Sequence, residues 1–328
     1  MLSVEYLAGF VDGEGYLGLG RIPRGRSHEY CLRISVHNTN RQILEEIREG
    51  WGGCLAGAGA GKPGWKPAYV LIWTNAAAAG LLTEVAPYLR VKSKQAAQMQ
   101  KFLHHLRRCR RARDRRGRLL PLSNSEVEVR ETFHARLKEL NRRGPGPVTP
   151  GPLPSGSGKS AARHLSPEYL AGFTDAEGCL MITKSEDRVH GRPQYRARIS
   201  VANTNRATLE DVQRAYGGII ANQPPPRAGW KHAYQLVWTD GMVEALLSAV
   251  GLHLRLKRKQ AAVILELIRH KRRTRQGRVG RFFAPLSSQV VAFREALYLR
   301  MRKLNAKGAS SLIGEVDGSL LRSKTPRA

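Results

Sequence analysis

The chain has 328 residues, and 55 Lys and Arg against 26 Asp and Glu leave it a formal charge of +29 at pH 7. That length suffices for two domains of ordinary size, each with a core of its own. So large a cationic excess argues against an enzyme of small metabolites and implies a polyanionic partner, nucleic acid first among them. No apolar run approaches the roughly 20 residues of a bilayer span, and the first helical segment starts at the N-terminus with no signal peptide before it. The reading is a soluble protein of the cytoplasm or an organelle, not secreted and without a membrane partner.

In chain order, Ser3 is placed to cap a first helix, with Glu5 in its first turn, where the helix dipole favours a carboxylate. The helix carries Leu7-Ala8-Gly9-Phe10-Val11-Asp12-Gly13-Glu14-Gly15. Glycines follow, and the pattern changes to period two: Tyr30, Leu32, Ile34 and Val36 are apolar, while Cys31, Arg33, Ser35 and His37 are not. This predicts a strand with one core face and one polar, cationic face. Asn38-Thr39-Asn40 then caps a short helix with Ile43, Leu44 and Ile47, which ends at Trp51-Gly52-Gly53. A second hairpin turns near Pro63-Gly64-Trp65-Lys66 and returns along Tyr69 to Trp73. Helices are expected over 76–88, 94–108 and 125–140, with an arginine-rich run from Arg107 to Arg118 between the last two.

Residues 142–163 are rich in Gly, Pro and Ser and read as a linker. After it the elements begin again. Ser166 and Pro167 open a helix with Glu168 in its first turn, and Leu170-Ala171-Gly172-Phe173-Thr174-Asp175-Ala176-Glu177-Gly178 repeats the first nonapeptide, each copy being preceded by a tyrosine, Tyr6 or Tyr169. Tyr195, Ala197, Ile199 and Val201 alternate with Arg196, Arg198 and Ser200. Gly229-Trp230-Lys231-His232-Ala233-Tyr234 answers Gly64 to Tyr69, and Leu254 to Ala262 answers Leu89 to Ala97. A basic run from Arg269 to Arg281 is the counterpart of Arg107 to Arg118. The chain thus divides into a first unit, 1–141, a linker, 142–163, a second unit, 164–305, and a basic tail, 306–328. Both units read α-β-β-α-β-β-α with extra C-terminal helices, an α+β architecture with pseudo-twofold symmetry. Cys31, Cys54, Cys109 and Cys179 form no Cys-x-x-Cys pair and have no cysteine counterparts in the opposite repeat, so they read as reduced and structurally incidental.

Gly9 and Gly13, like Gly172 and Ala176, are four residues apart and share a helix face, which allows two helix backbones to approach closely. If the two motif helices pack side by side, Glu14 and Glu177 meet at one end. That end is the C-terminus of both helices, where the dipole already disfavours negative charge. A hard divalent cation with oxygen ligands would compensate it, and Mg²⁺ suits carboxylates, water and phosphate. Asp12 and Asp175 lie on another part of each helix and are read as structural.

The paired nonapeptides resemble the signature of the LAGLIDADG homing endonucleases, in the single-chain form with both repeats in one monomeric polypeptide. The resemblance covers nearly all of both repeats. It implies two αββαββα domains whose motif helices form their interface, under a saddle that holds double-stranded DNA. It places metal ligation on Glu14 and Glu177, with the backbone carbonyls of Gly13 and Ala176. It assigns Lys92 and Lys257 to the scissile phosphates, as charge stabilisers or as phosphate anchors, with Lys94 and Lys259 as nearby alternatives. Asn38 and Asn203 would order water. Mg²⁺ is the expected cofactor, Mn²⁺ could replace it, and Ca²⁺ should bind without supporting efficient cleavage. Many members have Asp at the metal position, whereas this chain has Glu in both.

On the saddle the expected DNA contacts are Arg24, Arg26, Arg33, Ser35, His37 and Lys66 from the first repeat. From the second they are Thr183, Ser185, Arg196, Arg198, Ser200, Lys231 and Gln235. Arg and Gln can read guanine and adenine edges bidentately, and the basic runs would grip flanking phosphates. The two repeats differ at most of these positions, so a weakly palindromic target follows. The alternatives are a maturase that binds its host intron RNA and a DNA-binding protein without catalysis.

Overall fold

The computed structural model describes residues 1–24, 27–59, 65–109, 114–117, 120–142, 165–186, 192–224, 231–274, 278–279, 282–283 and 286–306. The linker and tail therefore lie largely outside the described residues, as do Arg26, residues 110–113 and 118–119 of the first basic run, and the tip of the hairpin at 60–64.

The first repeat runs α1 (Val4–Glu14), β1 (Gly15–Arg24), β2 (Ser27–Asn38), α2 (Arg41–Trp51), β3 (Cys54–Gly57), β4 (Tyr69–Thr74), α3 (Asn75–Val85), α4 (Ser93–Arg108) and α5 (Asn124–Leu140). The second runs α6 (Pro167–Glu177), β5 (Gly178–Glu186), β6 (Pro193–Asn203), α7 (Arg206–Tyr216), β7 (Ile219–Gln223), β8 (Ala233–Thr239), α8 (Gly241–Val250), α9 (Arg258–Arg273), β9 (Arg278–Val279), β10 (Phe282–Phe283) and α10 (Ser288–Leu304). Each repeat builds a four-stranded antiparallel sheet, β1-β2-β4-β3 and β5-β6-β8-β7. Of the short β9-β10 pair, β9 lies within what reads in sequence as a plain basic run and β10 just after it; α9 itself continues only to Arg273.

The helix starts follow from their caps. The Ser3 hydroxyl accepts the Tyr6 N–H at 3.1 Å, and the Ser166 hydroxyl accepts that of Tyr169 at 3.2 Å. Both motif helices pass directly into a strand at Gly15 and Gly178. A Cβ there would lie 2.5 Å from the Val11 carbonyl oxygen, or 2.4 Å from that of Thr174, so only glycine allows so abrupt an exit.

The period-two reading holds in both sheets: Tyr30, Leu32, Ile34 and Val36 are buried, and so are Tyr195, Ala197, Ile199 and Val201. Trp73 and Trp238 fill equivalent places, their indole N–H groups donating to the carbonyls of Trp51 and Tyr216 at 2.8 and 3.0 Å. The helices α3, α4, α8 and α9 bring Leu82, Phe102, Leu247 and Leu267 against the buried sheet faces, forming one continuous core through α1 and α6. Among the described residues no helix is long and apolar enough to cross a membrane.

Candidate active site at the paired helices

The helices α1 and α6 pack face to face on their small residues. A Cβ built on Gly9 would fall 2.0 Å from the Tyr169 carbonyl oxygen, and one on Gly172 would fall 2.0 Å from that of Tyr6. One helical turn on, a Cβ on Gly13 would meet Ala176 Cβ at 2.3 Å and Glu177 Cγ at 3.1 Å. The contact admits one methyl group at that level, and Ala176 supplies it. Glu14 and Glu177 consequently end the two helices side by side, and both are exposed.

Asp12 and Asp175 are buried and hold this end together. Asp12 Oδ2 accepts the backbone N–H groups of Arg90 and Val91 at 2.7 and 3.1 Å, and Oδ1 accepts that of Lys92 at 2.8 Å. Asp175 receives the N–H groups of Arg255, Leu256 and Lys257 at 2.6, 3.1 and 2.9 Å. Three successive amides converging on a carboxylate form an anion nest, and it fixes the turn from which α4 or α9 starts. Each aspartate also accepts a hydroxyl from the other repeat: Tyr169 donates to Asp12 at 2.6 Å and Tyr6 to Asp175 at 2.8 Å. Burial, then the adjacent aspartate charge and hydrogen bond, push both phenols well above the usual tyrosine range. Ion pairs Arg90–Asp211 at 3.4 Å and Arg255–Glu46 at 3.9 Å flank these crossings. The tyrosines before each motif are visible in sequence, but their cross-repeat partners are not.

The aspartate nests deliver the lysines. Lys92 Nζ donates to the Asp12 carbonyl and, at 3.4 Å, to that of Gly13; Lys257 Nζ donates to the Asp175 carbonyl. Both ammonium groups thus sit on the last carbonyls of the motif helices, where dipole and carboxylates concentrate negative potential. Burial lowers the Lys257 pKa, and the charges of Asp175, Glu14, Cys179 and Glu177 only partly restore it. That lysine lies in the field of both glutamates.

A cleft of about 920 Å³ opens above the helix ends, and Glu14, Glu177, Gly13, Lys92, Arg33, Ser35, His37 and Asn203 all line it. Asn203 comes from the second repeat and Lys92 from the first, so the site is composite. Asn38 and Asn203 also start the turns into α2 and α7, their side-chain oxygens accepting the N–H groups of Asn40 and Asn205 at 2.8 Å. Tyr16, Gln95, Asn141 and Arg142 join the lining without having been singled out in sequence. Gln95 and Asn141 secure the end of α5: Asn141 donates to the Leu17 carbonyl at 2.7 Å, and Gln95 to that of Leu140 at 3.3 Å. Nothing local to their sequence marks them.

The expected DNA-facing row is mostly accessible. His37, Ser185, Arg196 and Lys231 are exposed, and Arg33, Lys66, Thr183, Arg198 and Gln235 are half-buried. Lys231 reaches the Arg142 carbonyl at 2.9 Å. Thr183 donates to the Arg196 carbonyl at 3.4 Å. The two serines depart from the expectation: Ser35 and Ser200 are each only 2% exposed. Alternation puts them on the polar face, yet both are buried; over Ser200 the Gln235 amide donates to Oγ at 3.1 Å, and Arg198 donates to the Gln235 carbonyl oxygen at 3.1 Å. Ser200 therefore orients the Gln235–Arg198 pair from below. Arg198 Nε is a buried donor without a protein acceptor among the described residues. Arg26 and the side chain of Arg24 lie outside the described residues.

No family model matches the sequence, and no curated protein is similar enough in sequence to count as a relative. Solved structures do match in fold. I-AabMI, a LAGLIDADG meganuclease bound to uncleaved DNA, is 18% identical with a TM-score of 0.61, over 92% of this chain and 99% of its own. I-SmaMI, bound to an uncleaved DNA target with calcium ions, is 14% identical with a TM-score of 0.59, over 92% and 99%. The LAGLIDADG homing endonuclease I-LtrWI, bound to target DNA, is 14% identical with a TM-score of 0.58, over 91% and 97%. The chain has the two-domain fold of these proteins over nearly its whole length.

Proposed function

We propose that this chain is a monomeric, metal-dependent endonuclease that cuts both strands of a specific DNA site. The observation that carries the proposal is the convergence of Glu14 and Glu177 on one cleft, with Lys92 in its lining and Lys257, held by the Asp175 nest, in the field of both carboxylates. The fold neighbours support it, since the same two-domain architecture is seen on uncleaved and on cleaved DNA, in one case with calcium. The maturase reading gains no such support.

The donor set fits a hard divalent cation: two exposed carboxylates and the Gly13 carbonyl, all oxygen, in a cleft open to water. Glu14 and Glu177 would hold it, with the carbonyls of Gly13 and Ala176, and Mg²⁺ is the ion proposed. When bound, it supplies charge neutralisation at a phosphodiester and acidifies water. The chain's own residues do the rest. Lys92 and Lys257, each rooted on a helix-end carbonyl, present positive charge where the attacked phosphate becomes more negative. Asn38 and Asn203, with their oxygens engaged in turns, offer amide N–H₂ groups to order water. Arg33, His37, Arg196, Arg198 and Gln235 supply base or phosphate contacts, and the different side chains of the two repeats favour an asymmetric target. Residues 1–141 and 164–305 act as the half-site domains, with 142–163 as the connection.

The test is cleavage of a plasmid library of candidate insertion sites, with Mg²⁺ or EDTA, by the parent chain and by Glu14→Gln, Glu177→Gln and the double variant. Linear product from the parent, nicked product from the singles and none from the double are expected. Binding without cutting under all metal conditions, unaltered in the variants, would overturn the proposal and direct attention to structured RNA.

A further inference from the structure

A second group of metal-binding side chains lies away from the cleft, where α4 ends against the start of α5. His105, Cys109 and Glu126 bring Nε2, Sγ and a carboxylate oxygen within 4.8 Å of one another. His105 Nε2 lies 2.9 Å from Glu126 Oε1, and Arg130 Nε donates to that same oxygen at 2.5 Å. All three are half-buried. Burial would raise the Glu126 pKa, but hydrogen bonds from Arg130, His105 and Cys109 hold it below the ordinary value.

The second repeat offers an internal comparison. The places of His105 and Arg130 are taken there by His270 and Arg294, but those of Cys109 and Glu126 are taken by Thr274 and Val290. Arg294 fills the space directly, donating to Thr274 Oγ1 at 3.0 Å and to His270 Nδ1 at 3.5 Å. The fold therefore needs only a histidine and an arginine at this joint. The first repeat adds a thiol and a carboxylate, the two residue types that convert the joint into a ligand set.

We infer that His105, Cys109 and Glu126 form a Zn²⁺ site that staples the end of α4 to the first turn of α5. Tetrahedral zinc, with bonds of about 2.0–2.3 Å, sets its ligand atoms about 3.3–3.7 Å apart. The three donors reach that spacing by small rotations of half-buried side chains. Binding releases the thiol proton to solvent, and thiolate plus carboxylate cancel the ion's charge. Arg130 keeps its hydrogen bond to the ligating carboxylate and orients it. The remaining coordination position is left for water. Sulfur and imidazole select Zn²⁺ over Mg²⁺. In sequence the staple spans the arginine-rich run, so it would fix both ends of that segment.

The test uses the full chain carrying Glu14→Gln and Glu177→Gln, so that the cleft carboxylates do not compete. After chelator treatment and re-addition of Zn²⁺, about one equivalent should remain through gel filtration, excess Mg²⁺ should not displace it, and Co²⁺ should give a thiolate charge-transfer band. Cys109→Thr and Glu126→Val, which install the residues of the second repeat, should weaken Zn²⁺ binding at least about 100-fold, while Cys54→Ser should leave it intact. Circular dichroism checks that each variant folds, and the cobalt band of the unmodified triad stands independently of them. Absence of retained zinc and of the band, or retention undiminished in a folded Cys109→Thr chain, would overturn the inference.

Discussion

The sharpest test of the helix interface is Gly9→Ala. The added carbon would sit 2.0 Å from the Tyr169 carbonyl oxygen, 2.9 Å from the Phe173 nitrogen and 3.0 Å from the Tyr169 carbonyl carbon, all backbone atoms of α6 that cannot rotate away. Restoring an ordinary contact of about 3.5 Å requires the helices to part by more than about 1 Å. Overpacking of this kind costs about 1–3 kcal/mol. Parting also stretches the Tyr169–Asp12 and Tyr6–Asp175 hydrogen bonds, now 2.6 and 2.8 Å, each worth about 1.5–3 kcal/mol because one partner is charged. Stretching that forfeits about half of those two bonds, added to the overpacking, gives an expected loss of about 3–6 kcal/mol in urea unfolding. The matched control is Gly80→Ala in the exposed part of α3, where nothing lies within 4 Å of the new carbon. Helix propensity alone predicts a gain of about 1 kcal/mol there. Because Glu14 ends the displaced helix, double-strand cleavage by a Gly9→Ala chain should also fall about 100-fold. If the two alanine variants unfold within about 0.5 kcal/mol of each other, the close-packing argument is wrong.

Removing the Asp12 side chain as Asp12→Ala strands three backbone N–H groups and the Tyr169 hydroxyl; a loss of about 3 kcal/mol or more should appear in urea unfolding. Tyr6 and Tyr169 bind the aspartates only as neutral phenols, and their folded pKa values are raised. Their stabilisation is therefore complete below the unfolded value of about 10 and lost as pH rises through the folded values. A Tyr6→Phe/Tyr169→Phe chain should be less stable at neutral pH yet show a flatter decline above about pH 10, and an unchanged slope in an alkaline stability series would refute the assignment. Arg196 is exposed and Ser35 is buried, so Arg196→Ala should weaken DNA binding about tenfold, whereas Ser35→Ala should change it by less than about threefold. Fluorescence anisotropy at one fixed salt concentration would measure both.

Sequence by itself determined the features that depend on short-range geometry. Helix and strand periods put Tyr30, Leu32, Ile34 and Val36 on one face because alternation is built into an extended backbone. The serines at the helix starts mark where α1 and α6 begin, and the small residues four apart allow the two to pack closely, so that Glu14 meets Glu177 if they do; that the motif helices form the interface was implied by the resemblance and not by spacing. Tertiary structure alone decided the long-range partners. Asp12 meets residues 78 to 80 positions away and a hydroxyl 157 positions away, and no local pattern encodes which amides a buried carboxylate will find. Alternation likewise placed Ser35 and Ser200 on the polar face, but exposure depends on the neighbours that overhang them, and Gln235 stands over Ser200. The partner of Cys109 is equally invisible in sequence, since its hydrogen bond to Glu126 joins the end of one helix to the start of another. The physical reason is the same throughout: backbone periodicity repeats along the chain, whereas hydrogen bonding and burial are settled by whichever elements the core brings into contact.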